Sequence, residues 1–174
     1  MSQTWVCSSC GSVHDTEMFS WAYDAPAVWR EFDDARRSEG YLDSDICMIV
    51  DDAGTTCFFL RCVLEIPIQG SDEPFTWGVW GSLSEESFRR ALDLWDDPVR
   101  ADEPSYFSWL SNELPGYSET INLPCSMEPR PVELRPLLLV HEEPEHPLGR
   151  DQRHGISHDR ARELAEIAQH RFSE

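Results

Sequence analysis

The run Ile46-Cys47-Met48-Ile49-Val50 and the longer run from Thr56 to Ile66 are rich in β-branched and aromatic residues, and Asp51-Asp52-Ala53-Gly54 between them is a turn signal. A chain with this pair commits to a β-hairpin, closed by Pro67 and Gly70. Phe75-Thr76-Trp77-Gly78-Val79-Trp80-Gly81 reads as a third strand. Trp77 and Trp80 are three apart, so a regular strand points them to opposite faces. One is expected in the core and the other under a helix or lining a partner groove. Further strands are expected from Glu119 to Leu123 and from Val132 to Val140, where Pro136 marks an edge or a bulge.

Helical patterns lie around and between these runs. Asp24 as N-cap, Pro26 in the first turn, Val28, Phe32 and Ala35 at helical spacing and Gly40 as stop give a helix over residues 25 to 39. A second starts at Ser84-Glu85-Glu86, buries Phe88, Ala91, Leu92 and Trp95, and ends at Asp96-Asp97-Pro98. Residues 98 to 116 are polar and rich in turns, with Tyr106-Phe107-Ser108-Trp109-Leu110 as a short helical turn. A loop from Glu142 to Gly149 precedes a last helix capped by Ser157, with Ala161, Leu164, Ala165 and Ala168 facing inward. Strands in runs with helices at both ends and between define the α+β class, a mainly antiparallel sheet with flanking helices. The 174 residues, 40% of them hydrophobic, suit one domain over residues 1–174, with residues 1–20 as a zinc-knuckle-like N-terminal segment packed on it.

Charge excludes several partners. Asp and Glu number 33 against 14 basic residues, for a net charge of −19. That field repels phosphate backbones and anionic lipid, so neither nucleic acid nor a membrane surface is an expected partner. No apolar run approaches the roughly 20 residues needed to cross a bilayer, and Met-Ser-Gln-Thr-Trp lacks the basic start and apolar stretch of a leader, so a soluble, cytoplasmic protein is expected. Every basic residue is Arg, for which codon bias in a GC-rich genome is the expected reason, ahead of adaptation to salt or a designed arginine role. The acidity itself serves solubility or meets a basic protein partner.

The chemistry-bearing motif is Cys7-Ser8-Ser9-Cys10-Gly11-Ser12-Val13-His14. In a zinc knuckle two thiolates reach one ion from a tight turn, and a glycine after the second Cys lets main-chain amides turn back to the sulfurs. A structural zinc site needs four ligands, and only Cys7, Cys10 and His14 are local. A redox role would require a helix start in a βαβ setting, which this segment lacks. In a reducing compartment the strand cysteines Cys47, Cys57 and Cys62 read as buried thiols and Cys125 as a turn residue. His141, His146, His154 and His158 crowd one stretch, and His146 sits in a loop that can aim at the N-terminal segment. The run from His141 to His146 is no H-E-x-x-H motif, because its histidines are five apart and Pro144 interrupts any helix. Phosphate-loop, nucleophile-elbow and zinc-deaminase signatures are also missing. Asp43, Asp45, Asp51 and Asp52 suit exposed turns better than a hard-cation site.

Six blocks taken together, Trp5-x-Cys7-x-x-Cys10-Gly11-x-x-His14, Ser44 to Cys47, Phe58-Phe59-x-Arg61 with Leu64 to Pro67, Phe75 to Trp80 with Ser82 to Ser84, Leu114 to Tyr117, and His146-Pro147-Leu148-x-x-x-Gln152-Arg153-x-Gly155-Ile156, resemble an uncharacterised bacterial family, domain of unknown function 2199. The resemblance spans nearly the whole chain and implies a single-domain bacterial protein with no established activity. It also selects the fourth zinc ligand, since His146 falls in a family-like block while His141, His154 and His158 do not. Two functions are then in view. One is a non-enzymatic interaction protein with structural zinc on Cys7, Cys10, His14 and His146 and an acidic surface for a basic partner, of the kind an immunity or antitoxin-like protein uses. The other is a zinc-dependent hydrolase with Cys7, Cys10 and one His as ligands and Glu142, Glu143 or Glu145 as base.

Overall fold

In the computed structural model the described residues are 5–6, 11, 13–14 and 19–172, with Trp5 and His14 described by their backbone only. The N-terminal segment therefore enters mainly as a short antiparallel ladder, β1 (Trp5–Val6) against β2 (Val13–His14). The expected hairpin forms from β5 (Ile46–Val50) and β6 (Thr56–Ile66). Its turn is held by the Asp51 carboxylate, whose Oδ1 accepts from the amides of Ala53 and Thr55 at 2.9 and 2.8 Å. This is the local competition by which an aspartate turns a chain.

β7 (Phe75–Leu83) runs antiparallel to β6 over nine residue pairs, from Phe58↔Leu83 to Ile66↔Phe75. β8 (Tyr106–Leu110), β9 (Pro124–Glu128) and β10 (Leu137–Val140) follow in an antiparallel meander. β10 then returns to β6, so these five strands close into a small barrel. An odd number of up-and-down strands leaves the first and last pointing the same way, and the closing pair is accordingly parallel: Leu137 lies opposite Val63, and the Val63 amide donates to the Pro136 carbonyl at 2.9 Å. β3 (Ser20–Ala22) adds parallel to β7, and β4 (Tyr41–Leu42) extends the sheet beyond β5.

So narrow a barrel is filled by its own side chains. Leu60, Cys62, Leu64 and Ile66 point inward opposite Gly81, Val79, Trp77 and Phe75, and each is within 1% of full burial. A Cβ on Gly81 would lie 2.5 Å from the Ser108 hydroxyl and 2.6 Å from the Met127 methyl, so the barrel has room there for hydrogen only. Trp77 and Trp80 do take opposite faces, yet both are fully buried. Trp80 is covered by the segment after β3, to which its indole donates at the Tyr23 carbonyl, 3.0 Å away.

Several elements differ from the sequence expectation. In place of one helix over residues 25 to 39 there are two, α1 (Ala27–Glu31) and α2 (Asp34–Glu39). Phe32 is extended, and Asp33 caps α2 by accepting from the Arg36 amide at 2.9 Å; Pro26, rather than Asp24, holds the N-cap position of α1. α3 (Glu85–Asp93) is capped by Ser84 as expected but ends at Asp93 rather than at Asp96, with Phe88 fully buried and Ala91, Leu92 and Trp95 partly so. A 3-10 turn follows at Pro98–Asp102. Tyr106–Leu110 is a strand rather than a helical turn: Ser108 and Leu110 are buried while Phe107 and Trp109 are exposed, a period of two. Residues 119–123 turn instead of extending, with positive φ at Glu119 and Asn122, and β9 begins only at Pro124. Of the stretch 132–140 only its end is β10, because the preceding residues wrap around Arg100. α4 (Pro147–His154) opens where a loop was expected, and α5 (His158–Phe172) follows with Ala161, Leu164, Ala165 and Ala168 buried as expected.

Asn112 fills a gap in the ladder. Along the outer edge of β7, Thr76 and Gly78 bond to the β3 region, and Gly81 and Ser82 lie opposite β8. Between them the Trp80 amide has no strand partner and donates to the Asn112 Oδ1 at 2.8 Å, while the Asn112 side-chain amide donates to the Ala25 carbonyl at 3.0 Å. Asn112→Ala leaves both main-chain groups buried and unpaired, and is expected to lower the unfolding free energy by about 2–4 kcal/mol in urea titration. A loss under about 0.5 kcal/mol would show that water or a neighbour replaces the side chain.

Candidate functional site

Of the four residues expected to hold zinc, Cys7 and Cys10 lie outside the described residues, and His14 is described only as the β2 backbone opposite Trp5. His146 is placed fully. It is the N-cap of α4, where its Nδ1 accepts from the Leu148 amide at 3.1 Å. The ring proton therefore sits on Nε2, which donates to the Ser118 carbonyl at 2.8 Å. Both nitrogens are engaged, so ligation by His146 would require one of these bonds to be given up. Among the described residues, no group of three or more His, Cys, Asp or Glu is placed to hold a metal ion.

The other histidines are dispersed. His141 follows β10, His154 ends α4, and His158 opens α5 with its ring edge-on to Phe19 at 5.5 Å. The cysteines described are free thiols. Burial pushes Cys47 and Cys125 up to about 12 and raises Cys62 as well. Cys125 is a buried strand residue of β9 rather than a turn residue. Cys57 is half-buried, its thiol raised by burial and then by the nearby Asp51 carboxylate. Protonated sulfur is a poor nucleophile and a poor ligand, so these four serve packing. Cys57 also lines a groove of about 540 Å³ between α1 and β6–β7, with Val28, Phe58, Leu83 and Ile121 as its apolar walls. Its titratable lining, Glu31 and Cys57, makes no acid–base pair.

The arrangement most unlike ordinary surface lies on the outer face of β8, β9 and β10. Phe107 is 52% exposed and Trp109 43% exposed, with ring centroids 4.9 Å apart and planes at 85°. The His141 ring stands 5.7 Å from Phe107 at 66°, and its Nε2 is 2.9 Å from the Ser126 hydroxyl. The ladder explains this grouping: Phe107 lies opposite Ser126, which lies opposite Leu139, and Trp109 lies opposite Pro124, whose carbonyl accepts from the His141 amide at 2.9 Å. No Arg occurs within these three strands, and Glu128 extends the row at the end of β9. Large exposed aromatics in contact with one another are where surfaces recognise something. A helical reading of Tyr106–Leu110 hides this face, whereas the alternation in Tyr-Phe-Ser-Trp-Leu would have shown it.

These features define an α+β protein built around a small closed barrel, with an exposed aromatic face on one side. The chain belongs to a bacterial family: the family model described as uncharacterized protein conserved in bacteria (DUF2199) matches residues 6–156. No curated protein and no solved structure matches the chain.

His146 gives a decisive pair of variants. His146→Ala should cost about 1 kcal/mol through the lost cap, and His146→Asn, a good N-cap that lacks an imidazole, should recover most of it. Thermal melts read this directly. If Asn fails to recover stability and bound zinc falls in both variants, His146 is a ligand and its hydrogen bonds are secondary.

Proposed function

We propose that this chain is a non-enzymatic interaction protein that meets a basic partner through its acidic surface, in the manner of an immunity or antitoxin-like protein. The observation that carries the proposal is the solvent-exposed aromatic face of β8–β10, free of basic residues in those strands, on a chain of net charge −19. Apolar anchors give affinity, and a field of one sign steers the partner and rejects others of the same sign. The proposal also keeps zinc as a structural ion on Cys7, Cys10 and His14, with His146 or another donor as fourth ligand; its work there would be to fasten the N-terminal segment. Among the described residues no helix is long and apolar enough to cross a membrane.

A pull-down with the purified chain as bait should retain basic polypeptides at about 50 mM salt and lose them at about 500 mM, because screening shortens the reach of exposed charges. A chain that stays monomeric and retains nothing at either salt concentration overturns the proposal.

A further inference from the structure

We propose that the face formed by Phe107, Trp109, Ser126 and His141 is a docking site for an arginine-bearing segment of a partner protein, with the guanidinium held over the exposed rings. This rests on the reading of the chain as an interaction protein for a basic partner, and it adds where the partner sits and what it presents.

Three observations carry it. Elsewhere in the fold, three aromatic rings are matched with cations from the chain itself: Arg36 lies over Phe32 at 4.8 Å, Arg100 over Trp95 at 5.7 Å and Arg160 over Tyr117 at 5.4 Å. Phe107 has ring contacts with Trp109 and His141, both Phe107 and Trp109 remain about half open to solvent, and among the described residues no arginine lies over either ring. Their edge-on packing leaves π surface free for a cation.

The electrostatics agree. β8, β9 and β10 contribute no Arg, and Glu128 follows Ser126 on the same side of β9. Arg153, which reaches the Val140 carbonyl at 3.5 Å from α4, already faces Glu142 at 4.0 Å, so the His141 corner gains no unmatched cation from it. A planar guanidinium suits the place better than an ammonium, since it stacks on a ring while its edge donates to hydroxyl or carboxylate oxygen. Ser126 and Glu128 supply such oxygens along the same row.

The test uses the full chain, a ten-residue arginine peptide and its citrulline counterpart, which has the same shape without charge. Calorimetric titration should show the arginine peptide binding and the citrulline peptide not. Trp109→Ala and Phe107→Ala should each weaken binding about tenfold, and Trp109→Leu, which keeps apolar bulk but removes the π face, should do the same. Neutralising Asp72 and Glu73 should change it less than about twofold, because that loop joins β6 and β7 at the opposite end from the β8 pairing. Circular dichroism on each variant confirms the fold; if Trp109→Ala does not fold, Phe107→Ala and Trp109→Leu carry the result. Binding that is salt-sensitive yet unchanged by the aromatic variants overturns this site and leaves the acidic-surface reading standing. Absence of binding by either peptide overturns both. Equal binding of the citrulline peptide, or dimerisation of the chain that Trp109→Ala abolishes, assigns the face to a neutral ligand or to a second copy and overturns the proposal.

Discussion

The Trp80 amide sits at the rung where β7 changes partner along its outer edge, and the Asn112 side chain is what bonds it. A long strand that serves two neighbours in turn meets this difficulty wherever the partners leave a gap in the ladder. Asn is suited to the gap since it carries a donor and an acceptor on one planar group, and here both are used, one on Trp80 and one on Ala25. Its own carbonyl accepts from the Thr120 hydroxyl at 2.9 Å, and that hydroxyl accepts from the Leu114 amide at the same distance. One buried residue thus ties the barrel, the segment leading to α1 and the loop between β8 and β9. On β6, where the edge passes from β5 to β10, no such gap opens: the Arg61 amide donates to the Asp45 carbonyl and the Val63 amide to the Pro136 carbonyl, each at 2.9 Å, and an Arg135–Asp45 ion pair at 2.7 Å joins the two partners. Burial raises the Asp45 carboxyl, but hydrogen bonds from Ser44 and Arg135 outweigh it and hold the group below its usual range.

Irregular segments are fixed by the same means. Arg100 is 9% exposed and, among the described residues, makes no pair with a carboxylate; its guanidinium instead donates to the carbonyls of Trp95, Arg130, Pro131 and Leu134. A buried cation without a counter-charge is tolerable only when its donors are satisfied, and main-chain carbonyls satisfy them here. The loop before β10 is consequently wrapped on a fixed post. Residues 113–122 are held from α4 and α5: the Tyr117 hydroxyl donates to Asp151 at 2.7 Å, Arg160 donates to the Gly116 carbonyl at 2.8 Å, and His146 reaches Ser118. Burial, then the bond to Asp151, pushes the Tyr117 phenol up, so it stays a donor. Gly116 has φ of 87°, and a Cβ there would come within 2.3 Å of Leu164, which is why this turn packs tightly on α5.

These clasps explain which parts of the structure could be read from the chain. The β5–β6 hairpin, β7, α3 and α5 follow from periodicity, turn chemistry and capping residues that act within a few positions, and each forms where the pattern puts it, although α3 stops at Asp93, short of its expected end. Strand β8 was hidden because its five residues fit a helical turn as well as a strand; pairing with β7 and β9 decides between them. The stretches 119–123 and 132–136 have strand composition, yet the Thr120 hydroxyl folds the first back on the Asn112 carbonyl and the Leu114 amide, and the Arg100 guanidinium draws in the Leu134 carbonyl of the second. Barrel closure was equally hidden, since it depends on the count of strands rather than on any single one. For the site, His146 stands out from its neighbours in sequence, and its cap on the Leu148 amide is local, but its bond to the Ser118 carbonyl is a fact of tertiary structure. The aromatic face was missed along with β8, for if Tyr106–Leu110 is helical, Phe107 and Trp109 share no side.

The arginines connect stability with the proposed role. Arg100 is spent inside a loop, Arg130 and Arg135 bind neighbouring acids and carbonyls, and Arg90 pairs with Glu103, holding that carboxyl below its ordinary range. With 14 arginines against 33 acids, pairing inside the chain leaves a surplus of exposed carboxylates. Such exposed charges add little to folding and much to the long-range field. A field without an anchor would attract any polycation equally. In the proposed role Phe107 and Trp109 would supply the short-range discrimination that the field lacks, because stacking needs contact at about 4–6 Å whereas attraction acts over a Debye length. In that proposal the two requirements coincide on β8–β10, three strands that contain no arginine of their own.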